Sequence, residues 1–571
     1  MTATAHRRVA WVCMALAIVG LTAPLGCGRS LAEPFAAANP DDPAPRRGGM
    51  LRVASFQDIR NLDPAGPSDG LTLQPQHLLF AGLVDLDEHG QVVPELAERW
   101  QIEDEGRTVR FFLRTGVLMH DGAELTADDV KRSVERALHP STPNPNAAYF
   151  EGISGFRAFA EGKAEHLAGV TADGPHVVAF HLDAPDATFL PMMAMHTLRP
   201  VCRSAGDRYD DAWLPCGAGP FMLRPGDWRH GTSLRLTRFE GYFRPGLPYL
   251  DAVEWAWNAP QLAQRFRFES GELDVFRELT QSDQTRFAAD ARWRPFGHAL
   301  GDIRAYGELM NTRMPPFDNV EVRRAVAAAI DWEHVRLLKP GYITVSTQPI
   351  PPDVPGHDPD LACQRHDVAA ALEHMRRAGY PFDPETGRGG YPEPIVYPVY
   401  ENGLLMLTAQ LVQQELAKIG LRLDLRLVSW QAFLTIQSRR DGAAMSQANW
   451  EMDYPDPSSF FDPLFTTAAI PPAGYNSAFY SNARVDDLLA RAHREFDPRR
   501  RRELYREAGE ILCDEAPWAF GYSYHEYYVH QPYVRGFAAH PVWPLDVLRV
   551  FLDRAGPALA QRLAPPGSAR P

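Results

Sequence analysis

His525-Glu526 followed by His530 is the first group in this 571-residue chain whose side chains could do chemistry, because two imidazoles flanking a carboxylate can hold and use zinc. The second His falls five residues after the first, whereas one helix face needs a spacing of four. The surrounding YSYHEYYVHQPYV has the aromatic and β-branched character of a strand. Gly155 with Gly162-Lys163 resembles a phosphate loop, yet its glycines stand too far apart and Ala164 occupies the place of the required hydroxyl residue. Gly217-Ala218-Gly219 is a two-glycine turn of a kind found in many folds, and no G-x-S-x-G elbow occurs. His120 and His374 are single histidines outside any metal-binding motif and read as ordinary structural residues. Catalytic residues, a metal site and a cofactor are therefore all absent from the expectation. The run Arg499 to Arg502 lies beside Asp497 and Glu503 in a helical pattern and reads as a solvated, charge-paired face.

The cysteines depend on the compartment. Arg7 and Arg8 precede the apolar run Val9 to Gly26, which ends in small residues and reads as an export signal over residues 1–27. Two exits stay open: lipid modification at Cys27, although Pro24 stands where a lipobox has Leu, or cleavage after Ala38 in Ala36-Ala37-Ala38. No later segment is long and apolar enough to cross a bilayer, so membrane contact would come only through such a lipid anchor. In an oxidising compartment Cys202 and Cys216, which flank the polar loop RSAGDRYDDAWLP, are the expected disulfide pair. Cys363 and Cys513 are left as a second bridge or as buried free thiols. No C-x-x-C spacing occurs among these four.

The elements that would position these residues are mixed. Hydrophobic residues make up 45% and charged residues 23%, and the length calls for two or three lobes. A net charge of -14 argues against nucleic acid as a partner. Residues 28–47, rich in Ala, Pro and Asp, read as a disordered tether, and residues 556–571 as a disordered tail. Between them MLRVASF and RTVRFFLR read as strands, and LTADDVKRSVERAL as a helix capped by Thr126 with Asp128 and Asp129 in its first turn. Longer helices are expected at Glu321 to Ile330, Asp367 to Gly379 and Leu404 to Gly420, the last two stopping on Gly. LRLDLRLVSW alternates as a half-buried strand should. No fixed-period repeat is visible. The fold class is α/β.

Several segments in order resemble the extracellular solute-binding proteins of family 5, which include dipeptide-, oligopeptide- and nickel-binding components of ABC importers. They are GGMLRVASFQDIRNLDP (48–64), GLVDLDEHGQVVPELAERW (82–100), GAGPFML (217–223), GYFRPGLPYLDAVEW (241–255), SGELDV (270–275), NTRMPPFDNVEVRRAVAAAID (311–331) and NWEMDYPDPSSFFDPLF (449–465). The most specific stretch is 111–138, with Arg114, Gly116, Val117, His120, Asp121 and Gly122 in an R-x-G-V-x-x-H-D-G pattern, although Met119 replaces a frequent Phe. The resemblance covers about Gly48 to Phe551.

It implies a bilobal periplasmic-binding-protein-like fold of the large three-lobe type. Lobe I would combine 48–80, 203–305 and 525–555, lobe Ib would be 81–202, and lobe II 306–524. The two crossings, near Tyr306 and Tyr524, would form a hinge. The implied protein is an exported, monomeric, non-catalytic receptor, in the periplasm or on the outer face of the cytoplasmic membrane. It would deliver a peptide or peptide-like ligand to importer permease subunits. The same fold could instead take a metal chelate, an oligosaccharide or another natural product; a secreted hydrolase is the third reading. In peptide-binding relatives a W-x-x-D segment pairs with the ligand ammonium, and Trp450-Glu451-Met452-Asp453 resembles it. That assigns Asp453 to the ammonium and Trp450 and Tyr454 to the ligand's first residues. Asp58 and Phe56 lie where relatives contact ligand, and Trp430 and Tyr475 are candidate walls. For the ligand carboxylate, Arg376, Arg439 and Arg440 are open candidates.

Overall fold

The first strand of the body, Met50–Ala54, pairs in parallel with Ala252–Ala256, so the chain closes this sheet only after a long excursion. Ser233–Arg238 and Phe221–Met222 continue the sheet antiparallel. Leu51, Val53, Leu234, Leu236, Val253 and Trp255 alternate onto its buried face. The structure is a computed structural model and describes residues 44–66, 70–210, 212–361, 363–400, 403–538, 540, 542–543 and 545–554. The expected export signal, Cys27, the Ala36 to Ala38 cleavage site, most of the tether and the tail lie outside the described residues.

The excursion builds a second sheet from Ala97–Glu103, Thr108–Leu113, Val177–His181 and Val170–Ala172. Helix Ala127–Leu138 covers it with Val130, Val134, Ala137 and Leu138. Thr126 and Asp129 form a reciprocal capping box at its start, so the sequence signal works as read.

A third sheet runs Ile343–Val345, Trp518–Tyr524, Arg304–Met310, Met445–Glu451. It is buried on both faces. Met310, Met445, Ala519 and Tyr522 meet helices Val320–Ala329 and Gly403–Ala417 on one side, while Leu309, Ala448, Trp518 and Phe520 meet Phe460, Phe461, Leu464 and Leu512 on the other. Two-sided burial explains why WAFGYSY is an almost unbroken apolar run. The expected helix at Asp367 to Gly379 spans Val368–Arg377, and Gly379 and Gly420 take the left-handed conformation that stops their helices.

Strand Gly297–Ala299 belongs to a sheet with Val275–Phe276 and Tyr527–His530, whereas Arg304–Met310 and Trp518–Tyr524 belong to the third sheet. The chain therefore passes between the two bodies twice, between Ala299 and Arg304 and between Tyr524 and Tyr527. The fold is bilobal.

Two disulfides are present. One joins Cys202 to Cys216; the other joins Cys363 to Cys513, the pair for which free thiols were the alternative. The reading of Arg499 to Arg502 as a wholly solvated face needs one correction. Arg501, on helix Pro498–Glu515, turns inward and binds Asp456 through both terminal nitrogens.

Candidate functional site

The zinc-like group separates into structural parts. His525 Nδ1 lies 2.6 Å from Asp302, Glu526 receives Arg304, and His530 is buried on strand Tyr527–His530, 3.0 Å from His298. His525 and Glu526 lie between strands Trp518–Tyr524 and Tyr527–His530, and the three side chains are each taken by a different partner. The R-x-G-V-x-x-H-D-G segment is a bolt. Arg114 donates to the Glu95 carbonyl, and His120 bridges the Gly217 amide and the Gly219 carbonyl. Burial lowers the His120 pKa to about 4, so it stays neutral.

Asp453 sits on the turn that follows strand Met445–Glu451. Its backbone amide donates to Ser459 Oγ at 2.8 Å, and the Trp450 indole donates to the Ser459 carbonyl at 2.7 Å. The next turn is held by Asp456, which accepts from the Ser458 amide and from Arg501. Two helices thus set the angle at which Asp453 projects. Across from it Tyr149, in the short turn Ala147–Phe150 against the second sheet, donates its hydroxyl to Asp453 Oδ2 at 2.6 Å. Oδ1 has no partner among the described residues. The carboxylate keeps access to solvent yet is walled by protein, as happens in a cleft, and desolvation raises its pKa to about 6 against the opposing Tyr149 hydrogen bond.

A cavity of about 650 Å³ opens beside Trp450 and includes Trp430 and Tyr475 in its wall. The Trp450 and Tyr475 rings lie 5.1 Å apart. Three of the expected residues therefore share one cavity, with Asp453 three positions along the chain from Trp450. The remaining expected residues lie outside this cavity. Tyr454 is 2% exposed, its hydroxyl is 3.0 Å from Ser458 Oγ and its ring stands edge-on to Tyr149, so it supports the site from behind. Asp58 accepts from the amides of Ile59 and Gly231, holding a loop, and Phe56 is exposed with its amide on Glu278; neither lines the cavity. Arg439 pairs with Asp441 and Arg376 with Glu373 on the surface, and neither these nor Arg440 line it.

Reading the sequence missed Tyr149, which lies in PNPNAAYF without any pattern to mark it, and Arg304. The latter reaches Glu451 at 2.9 Å and Glu526 at 3.0 Å, tying one crossing segment to the other and to the strand that leads to Asp453.

Two α/β bodies joined by two crossings, with an ordered carboxylate where they meet and an aromatic cavity beside it, define a bilobal solute-binding protein. The sequence model of the bacterial extracellular solute-binding proteins, family 5, matches residues 91–471. The chain belongs to that family. The glutathione-binding protein GsiB of Salmonella choleraesuis (strain SC-B67) is 27% identical over 473 residues, 82% of this chain and 87% of the relative. Among solved structures, the clavulanic acid biosynthesis oligopeptide binding protein 2 superposes with a TM-score of 0.79 at 26% identity, over 89% of this chain and 96% of that one. DppA of Helicobacter pylori, in complex with the peptide STSA, gives 0.73 at 24%, over 89% and 99%.

Proposed function

We propose that this chain is an exported, non-catalytic receptor of a bacterial ABC importer that closes on a peptide or peptide-like ligand and holds its free amine at Asp453. The observation that carries the reading is the Asp453 carboxylate, fixed through Ser459, half-occupied by Tyr149 and open at Oδ1. A carboxylate walled by protein, with one oxygen unpaired among the described residues and reachable from solvent, is suited to meet a counter-charge brought by a ligand. An ammonium placed on Oδ1 would also reverse the desolvation that holds the acid near pH 6. The names of relatives support peptide-like ligands, since GsiB is a glutathione-binding protein, one structural neighbour is an oligopeptide binding protein and DppA was solved in complex with the peptide STSA.

The lobes assigned to this work are 48–80, 203–305 and 525–555 for lobe I, 81–202 for lobe Ib and 306–524 for lobe II, hinged where the chain crosses. Tyr149 then faces Asp453 from lobe Ib, and closure assembles the ammonium site from two lobes. Periplasmic localisation and delivery to permease subunits follow from this reading, and the structural roles of His525, Glu526 and His530 support the absence of catalysis.

Purified protein titrated with a peptide mixture is expected to gain thermal stability, and Asp453→Ala to lose that gain, through a penalty of about 2–5 kcal/mol in binding. A peptide-induced shift of equal size in Asp453→Ala would defeat the assignment.

A further inference from the structure

Resting on that reading and deepening it, we infer that the cavity beside Asp453 is a side-chain subsite for a bulky, uncharged aromatic or aliphatic group within the first two residues of an amine-bearing peptide. Among the described residues eighteen line the cavity, and none of these is Asp, Glu, Lys, Arg or His. Trp430, Phe433, Leu434, Trp450, Leu464 and Tyr475 supply most of its bulk. In a chain where 23% of residues are charged, a wall of this size with no charge among its described residues disfavours ionic side chains as ligands, because they would lose hydration with no partner there.

Several of the polar groups in the wall are engaged with protein. Gln437 donates to Ser446 Oγ and to the Gln447 carbonyl, and Thr435 and Ser438 donate to carbonyls of their own helix. Asn449 Nδ2 lies 3.4 Å from the Tyr400 hydroxyl, Gln447 Oε1 stays unpaired among the described residues, and apolar side chains make up the greater part of the wall's surface. That surface stays open to solvent: Trp430 is 42% exposed, Leu434 44% and Tyr475 57%. Large apolar side chains left bare on one concavity gain free energy when an apolar group covers them.

Proximity to the amine follows from the chain. Trp450 in the cavity wall and Asp453 are both fastened to Ser459, so the ammonium acceptor and the cavity are one rigid piece. Tyr475 packs on Trp450 and lies close enough to Tyr149 to act on its hydroxyl electrostatically, linking the cavity to the amine site from the other side.

The test is calorimetric titration of the purified full chain with Phe-Gly-Gly, Gly-Phe-Gly, Lys-Gly-Gly, Glu-Gly-Gly, triglycine and N-acetyl-Phe-Gly-Gly. One of the two free-amine Phe peptides is expected to bind about ten- to a hundredfold more tightly than triglycine, the gain from burying one such side chain, while the Lys and Glu peptides gain nothing. Trp430→Ala and Tyr475→Ala, both exposed positions outside the core, should each cut the Phe advantage over triglycine to about threefold or less, with retention of the fold checked by an unchanged ligand-free melting temperature. Lys or Glu peptides binding as tightly as Phe peptides, or a Phe advantage that survives both substitutions, would overturn the subsite and leave amine capture standing. Equal binding of the N-acetyl peptide, or no binding by any peptide, would overturn amine capture and the subsite with it.

Discussion

Asp453 and Tyr149 form one unit, and the two can be tested separately. The Tyr149 hydroxyl is the one hydrogen bond that lowers the Asp453 pKa, while burial and the neighbouring Glu451 raise it. Tyr149→Phe should therefore move the carboxyl further up and weaken amine-bearing ligands by about 1–2 kcal/mol, read by calorimetry at pH 7. The pH dependence has a definite sign. A carboxyl whose folded pKa stands above its ordinary value opposes the ligand-free fold progressively as pH rises from about 4 through 6, and that same ionisation is what an ammonium requires. Affinity for a free-amine peptide should accordingly rise between pH 5 and pH 7, and the rise should vanish in Asp453→Asn. A flat profile in the unaltered protein would remove Asp453 from the site. The W-x-x-D spacing made Asp453 legible because a short motif keeps its geometry on a tight turn. Tyr149 was illegible because its partner lies three hundred residues away, beyond any local pattern.

At the scale of elements, a second contact joins the body that carries Tyr149 to the one that carries Asp453. His493, on helix Ala483–Arg494, lies 2.7 Å from Asp462 on helix Ser458–Phe465 and 3.4 Å from Asp186, in the segment after strand Val177–His181. The Ala187 amide donates to the His493 carbonyl at 2.7 Å. Burial alone would make the imidazole neutral, yet the two carboxylates hold its pKa well above 6.5; the Asp456 and Arg501 pair stands nearby. A histidine raised in this way contributes stability that is fully present below pH 6.5 and is lost as pH climbs through the raised value. His493→Gln should loosen this contact by about 2 kcal/mol, seen as faster hydrogen exchange over residues 183–189 at pH 7. Unchanged exchange there would mean that the backbone bond at Ala187 holds the two bodies without the ion pairs. The helices themselves were readable from caps and stops, as Thr126 and Gly379 show, whereas Arg501 was misread because its burial depends on Asp456, which no helical pattern includes.

For the molecule as a whole, the two disulfides have unequal reach. Cys202 and Cys216 are 14 residues apart, while Cys363 and Cys513 close a loop of 150 residues within the body that holds Asp453. In the chain-entropy account the longer loop restricts the unfolded chain more. The double variant Cys363→Ser/Cys513→Ser should lose about 2–4 kcal/mol of unfolding free energy in a denaturant titration, with ligand affinity retained because neither cysteine lines the cavity. A change in affinity without a change in stability would contradict that separation. Arg304 acts at the same scale, since it ties the two crossing segments to each other through Glu451 and Glu526.

The sequence by itself determined the α/β class, the family, the main helices with their caps and stops and the Cys202–Cys216 pair, and its W-x-x-D motif marked Asp453 as a candidate. Each of these is written in a short window, through periodicity, a capping residue, a turn or an ordered motif. Only the tertiary structure decided which aromatics share the cavity, that Tyr454 is buried against Ser458 and Tyr149, that Cys363 meets Cys513, and that Tyr149, His493 and Arg304 join segments far apart in the chain. Those facts depend on how strands such as Met50–Ala54 and Ala252–Ala256 find each other across the excursion between them, and long-range pairing leaves no local trace in the residues it unites.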